Sequence, residues 1–131
     1  CFLLEEDALL FSGDHILNGS TTVISPPDGN MIDYLASLDK LHALCLERSI
    51  RYILPAHGYV LGFARHQITK LKAHRLARES KVHNAMRTKP DGSIQEWVAI
   101  AYADTPPALW PVAQQSLLAH VERIQKLCLG R

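Results

Sequence analysis

The chain has 131 residues, of which 47% are hydrophobic and 21% are charged, and its net charge is +1. This composition is typical of a folded globular protein and excludes a disordered chain. No apolar run approaches the roughly 20 residues that a membrane helix needs, and no secretory signal opens the chain, so we expect no membrane partner. The cysteine pattern described below leads us to expect a reduced, cytoplasmic protein.

Residues 1–4 and 9–12 are short apolar runs around a charged turn, which predicts a β-hairpin, and the β-branched residues 21–25 predict a third strand. Asn30 caps a predicted helix whose apolar positions, from Met31 to Cys45, recur every three to four residues. Residues 52–54 predict a strand that Pro55 ends.

Helices follow in the second half of the chain. A long helix is predicted over 65–87, with Ile68, Leu76 and Val82 among its inward positions. Ser93 and Glu96 form a capping box that starts a helix ending near residue 103, and a last helix is predicted over 109–127. These three helices predict a compact helical module, with Trp97 and Trp110 as its core anchors.

The three cysteines, Cys1, Cys45 and Cys128, are odd in number and widely spaced, which fits neither a disulfide framework nor a thiolate zinc site. The chain also opens on Cys1 inside an apolar run, so we expect it to be incomplete.

Two loops carry candidate metal ligands. Asp14 follows an apolar strand and Gly13, and carboxylates bind divalent cations. His57 follows the strand that Pro55 ends, and histidine is the commonest ligand of zinc-like metals. Taken singly, each also fits a common turn or a loop histidine bonded to a carbonyl. If both strands belong to one sheet, the two side chains converge at one edge of it.

The order of these segments resembles the metallo-β-lactamase superfamily, and within it the β-lactamase-like protein 2 group. The resemblance lies in Phe-Ser-Gly-Asp-His at 11–15, Gly-Ser-Thr-Thr-Val at 19–23, Pro-Ala-His-Gly at 55–58 and the His-Arg pair at 74–75. It covers essentially all of the chain. Ala56 stands where the group usually has a glycine.

The resemblance implies an α/β fold: the C-terminal half of a metallo-β-lactamase αββα sandwich at 1–73, then a small helical, winged-helix-like domain at 74–131 whose wing is truncated. It implies a metal-dependent hydrolase with two divalent ions, expected to be zinc. Asp14 would bridge the two ions and His57 would be a terminal ligand. His74 would either donate a hydrogen bond behind the ligands or pack at the domain junction.

The superfamily's His-x-His-x-Asp-His motif is absent, so the resemblance supplies no catalytic residue here. We therefore expect an incompletely coordinated metal and an inactive chain that belongs to an active parent. The missing N-terminal half of the same protein is the first expected partner, and a homodimer is the second.

Residues 65–89 contain eight lysines and arginines but a single acid, Glu79, which favours a phosphate-bearing substrate. The substrate would be an RNA phosphodiester or a CoA-type thioester, bound by Lys70, Lys72, Arg75 and Arg78. A solvated helix face paired with acids explains the same charges. The remaining alternatives are a non-catalytic binding or dimerisation module and a thioesterase that resembles hydroxyacylglutathione hydrolase.

Overall fold

The computed structural model describes residues 1–129. It contains three strands, four α-helices and two 3-10 turns. The strands are β1 (Phe2–Leu4), β2 (Leu9–Gly13) and β3 (Tyr52–Pro55), and the helices are α1 (Met31–Glu47), α2 (Ala64–Thr88), α3 (Ile94–Ala101) and α4 (Trp110–Leu129). The mixed α/β fold predicted from the sequence is confirmed.

The sheet has the order β1-β2-β3. The predicted hairpin is confirmed: β1 and β2 are antiparallel, with Phe2 opposite Phe11, and a 3-10 turn at Glu5–Asp7 joins them. Strand β3 lies parallel to β2, with Leu10 opposite Ile53, and both of these side chains are buried. The carboxyl ends of β2 and β3 therefore lie side by side.

One predicted strand is wrong. Residues 21–25 form no strand, and they pair with none of the strands in residues 1–129. Ser25 instead donates its hydroxyl to the Gln115 side chain at 2.9 Å, and its carbonyl accepts from the Gly29 amide at 2.7 Å. β-Branched composition favours an extended chain, but a strand also needs a partner for its backbone groups.

Packing divides the chain into two units. The first contains Cys1–Thr22 and Leu35–Ala73, and the second contains Val23–Tyr34 and the residues from His74 onward. The predicted domains 1–73 and 74–131 stay a prediction. The boundary between the two packing units also falls between Ala73 and His74. In addition, Val23–Tyr34 packs with the second unit, which the sequence did not predict.

The core of the first unit contains side chains from helices and from the sheet. Leu38 and Cys45 of α1, Ile53 of β3 and Ile68 of α2 are almost fully buried. The opposite face of the sheet is different, because it exposes apolar side chains: Phe2, Leu4, Phe11 and Tyr52. We call these four residues the open sheet face.

In the second unit, one hydrophobic cluster joins α2, α3 and α4 around Val82, Val98 and Leu117. Trp97 and Trp110 pack against this cluster, as predicted. The capping box at Ser93 and Glu96 is also confirmed. Leu76 was predicted to face inward, but 37% of its surface is exposed. No helix within residues 1–129 is long and apolar enough to cross a membrane.

Candidate metal centre

Asp14 lies directly after β2, on a turn that Gly13 and Ser12 shape. Gly13 has a φ of 57°, a left-handed conformation that favours glycine. The buried Ser12 hydroxyl donates to the Ile16 carbonyl at 2.8 Å, and the Ser12 carbonyl accepts from the His15 amide at 3.0 Å. These bonds close the turn and leave the Asp14 side chain exposed.

His57 lies on the loop that follows β3, and Asn18 fixes this loop. The Asn18 amide donates to the His57 carbonyl at 3.5 Å, and the Asn18 side chain donates to the Tyr59 carbonyl at 3.0 Å. Gly58 has a φ of 92° and approaches the Asn18 backbone closely. Asn18 was not among the residues predicted for this site, although an asparagine just before a glycine is typical turn chemistry.

The two loops are joined by a backbone hydrogen bond, from the Ala56 amide to the Gly13 carbonyl at 2.8 Å. The register of β2 and β3 shifts between Phe11 and Gly13, and bulges of this kind often redirect a side chain next to a functional site. As a result, Nε2 of His57 lies 3.4 Å from Oδ1 of Asp14, and both side chains are more than two-thirds exposed.

These two side chains have the chemistry of metal ligands but do not complete a site. Within residues 1–129, no group of three or more His, Cys, Asp or Glu side chains is arranged to hold a metal ion. A catalytic zinc usually has three protein ligands and a water. The described residues therefore fit only part of a metal centre.

His15, next to Asp14, is partly buried. Burial lowers the pKa of this histidine. The neutral imidazole is thus favoured at His15.

The cations predicted to bind substrate have different surroundings. Lys70 is exposed, whereas the Lys72 ammonium lies 2.6 Å from the Asp39 carboxylate. Both lysines belong to the first unit.

Arg75 and Arg78 belong to the second unit, where both have internal partners. Arg75 is 4% exposed, and its guanidinium lies 5.2 Å from the centre of the Tyr34 ring. Arg78 lies 4.4 Å from the Tyr102 ring, donates to the Ala101 carbonyl at 2.7 Å and donates to Asp104 at 2.8 Å. The two arginines are thus engaged in stacking and hydrogen bonding inside the protein.

Arg78 and Lys81 also explain the state of Asp104. Their hydrogen bonds, Arg78 first, hold the pKa of the Asp104 carboxyl well below its usual range. His74 lies in the same unit, where burial and then the charges of Arg75 and Arg78 lower the pKa of its imidazole. Its predicted role behind the metal ligands stays a prediction.

Comparison with known proteins identifies the family. Residues 93–127 match the β-lactamase associated winged helix domain. The chain is 29% identical over 126 residues to the β-lactamase-like protein 2 homolog of Drosophila melanogaster and 30% identical over 125 residues to that of Caenorhabditis elegans. Each alignment covers 95% of this chain but 40% and 39% of the respective relative, so the chain spans about two fifths of their length.

A third relative is the atrochrysone carboxyl ACP thioesterase of Aspergillus chevalieri, 30% identical over 130 residues, which cover 90% of this chain and 40% of that protein. Among solved structures, a metallo-β-lactamase family protein from Thermus thermophilus shares the fold, with a TM-score of 0.73 and 23% identity over 94% of this chain and 38% of its own. The chain belongs to the metallo-β-lactamase superfamily, in which it corresponds to a C-terminal portion that carries the associated winged helix domain.

Proposed function

We propose that this chain is part of a metal-dependent hydrolase, in which Asp14 and His57 supply two of the metal ligands. The observation that carries the proposal is the 3.4 Å contact between Asp14 and His57, on two loops at the carboxyl ends of neighbouring strands. A carboxylate and an imidazole at one sheet edge suit a borderline divalent cation such as zinc.

Each ligand has a separate task in this proposal. The Asp14 carboxylate has two oxygens and so has the capacity to contact two ions, while His57 presents one nitrogen. When bound, divalent ions of this kind lower the pKa of a water and polarise the bond to be hydrolysed. The Gly13–Ala56 hydrogen bond holds the two loops at a fixed spacing before any ion arrives.

We further propose that the substrate is a thioester of the CoA type. The relative from Aspergillus chevalieri is named an ACP thioesterase, which supports the thioester class. Binding to RNA needs several free cations along a phosphate backbone. Lys72, Arg75 and Arg78 already have partners within their own units, so they supply little free charge for a polyanion.

Metal binding is tested first, with cobalt(II) as the probe because its absorption spectrum reports ligand number and type. Asp14→Asn and His57→Ala are each expected to weaken cobalt binding by at least about tenfold. Asp28→Asn and His83→Ala are matched controls, since both residues are exposed and lie elsewhere. Equal affinity in all five proteins would refute the metal-ligand assignment.

Activity is tested on the complete polypeptide that contains residues 1–131. An acyl-CoA and a single-stranded RNA are offered in parallel, and release of thiol and cleavage of RNA are followed separately. We expect thioester hydrolysis that Asp14→Asn and His57→Ala abolish. Cleavage of RNA alone, lost on Lys70→Glu, would instead support the phosphodiester substrate.

A further inference from the structure

A cavity of about 380 Å³ lies in the first unit, where β3 and α2 begin. His57 follows the other end of β3, so the cavity and the candidate metal centre lie at opposite ends of this strand. The cavity has the volume of a small-molecule site, for which the usual range is roughly 300–1,000 Å³.

Three basic side chains line this cavity: Arg51, Arg65 and His66. Within residues 1–129, none of the three forms an ion pair with a carboxylate. In contrast, the nearby Arg48 pairs with Glu5 at 3.2 Å. The cavity is therefore an uncompensated cationic site, and the planar guanidinium groups of arginine match the oxygens of phosphate.

Two aromatic residues line the same cavity. Tyr52 is 47% exposed and Phe63 is 84% exposed. Phe63 also has a φ of 53°, a left-handed conformation that is unfavourable for a bulky side chain. The chain thus holds a phenyl ring in solvent in a strained conformation, and strain of this kind clusters at ligand sites.

We propose that this cavity binds a nucleoside phosphate, with its phosphates on Arg51 and Arg65 and its base stacked on Phe63 or Tyr52. Exposed aromatic rings beside cations are the combination that stacks bases and neutralises phosphates. The cavity size favours a ligand of one nucleotide over a strand. This site is separate from the proposed metal centre and does not depend on it.

The test is calorimetric titration of the protein with ADP, adenosine, inorganic pyrophosphate and a single-stranded oligoribonucleotide. We expect ADP to bind at least about tenfold more tightly than either adenosine or pyrophosphate, because it alone satisfies both parts of the cavity. No detectable binding of ADP at about 1 mM would overturn the proposal. The proposal would also be overturned if pyrophosphate bound as tightly as ADP, or if the oligoribonucleotide bound at least about tenfold more tightly than ADP.

Variants then separate charge from stacking. Arg51→Glu and Arg65→Glu are each expected to weaken ADP and pyrophosphate by about tenfold or more. Lys40→Glu is the matched control, since Lys40 is exposed in the same unit and the change in net charge is identical. An equal loss in Lys40→Glu would mean non-specific attraction and would refute the site.

Phe63→Leu and Phe63→Gly remove the ring. Both are expected to weaken ADP but to leave pyrophosphate unchanged, and Phe63→Gly should do so without loss of thermal stability, because glycine tolerates the positive φ. The stacking role would be overturned if the affinity for ADP were unchanged in Phe63→Leu, in Phe63→Gly and in a third variant, Tyr52→Leu. Cobalt binding is measured in parallel and should not change, which keeps this result distinct from that of the hydrolase proposal.

Discussion

Gly58 and Asn18 lie so close that a Cβ atom on Gly58 would be 2.6 Å from the Asn18 carbonyl oxygen. Gly58→Ala must therefore overcome both a positive φ and a clash with backbone atoms. We expect a loss of about 2–3 kcal/mol in the free energy of unfolding, measured by urea denaturation. Cobalt affinity should fall as well, because the clash displaces the His57 loop.

Gly19→Ala is the control for this prediction. Gly19 also has a positive φ, of 82°, but a Cβ there would meet nothing within 4 Å. We expect it to cost about 1 kcal/mol, the conformational part alone. If both variants lost the same free energy of unfolding, the predicted clash with Asn18 would be contradicted.

Glu79 of α2 is the shared carboxylate partner of two basic side chains of α4. Its carboxylate lies 3.2 Å from Nδ1 of the fully buried His120 and also accepts from Arg123. Glu79→Ala removes the shared partner of two poorly exposed basic groups, so we expect a loss of about 2–4 kcal/mol in the free energy of unfolding.

Glu122→Ala is the matched control, because Glu122 is exposed on the same helix as His120. It should change the free energy of unfolding by no more than about 0.5 kcal/mol. A small effect of Glu79→Ala, similar to that of this control, would contradict the role of the cluster.

Asp104 makes the stability of the second unit depend on pH. Its pKa is depressed in the folded state, so its contribution is present above the ordinary pKa of aspartate, near about 4, and is lost as pH falls towards the folded value. Asp104→Asn lacks this contribution. The gap in unfolding free energy between the two proteins should be largest near neutral pH and shrink in acid, and a gap that stays constant from pH 7 to about pH 3 would refute this account.

The capping box of α3 gives a local test. The Ser93 hydroxyl accepts from the Glu96 amide at 3.2 Å, and the Glu96 carboxylate accepts from the Ser93 amide at 2.9 Å. Ser93→Ala should cost about 1 kcal/mol and speed amide exchange at the start of α3. Ser80→Ala should cost less, because the Ser80 hydroxyl only bonds back to Leu76 within its own helix.

The open sheet face leads us to predict the oligomeric state of residues 1–131. Phe2 and Phe11 are register partners on this face, 80% and 40% exposed, and β1 is an edge strand. An apolar face beside an open edge favours pairing with a second copy. We expect residues 1–131 to dimerise in sedimentation velocity, and Phe11→Lys to return them to monomer. Val112→Lys, on an exposed valine of α4, should leave the dimer intact.

Hydrophobic spacing was enough to predict α1 and α2, because each of these helices buries one apolar stripe. The hairpin was predicted from two short apolar runs around a charged turn. The sequence pattern did not show that residues 21–25 form no strand, since a single β-branched run does not indicate whether a partner strand exists. The convergence of Asp14 and His57 was predicted from their places after strands, and the parallel pairing of β2 and β3 supplies the geometry.

The cationic run shows where charge counting fails. Arg78 pairs with Asp104, 26 residues further along the chain, and no local pattern reveals that contact. Among residues 1–129, Arg51 and Arg65 form no ion pair with an acid. Arg51 lies outside the basic segment 65–89 and Arg65 is its first residue. Free charge is a property of the packed chain.

The hydrogen bond from Ala56 to Gly13 has a practical consequence. One amide proton, that of Ala56, is protected only while both ligand loops are in place. Its exchange rate in deuterated water therefore reports the integrity of the whole sheet edge, with or without an ion. A single resolved cross-peak would rank every variant of Asp14, Asn18, His57 and Gly58 by how far it loosens that edge.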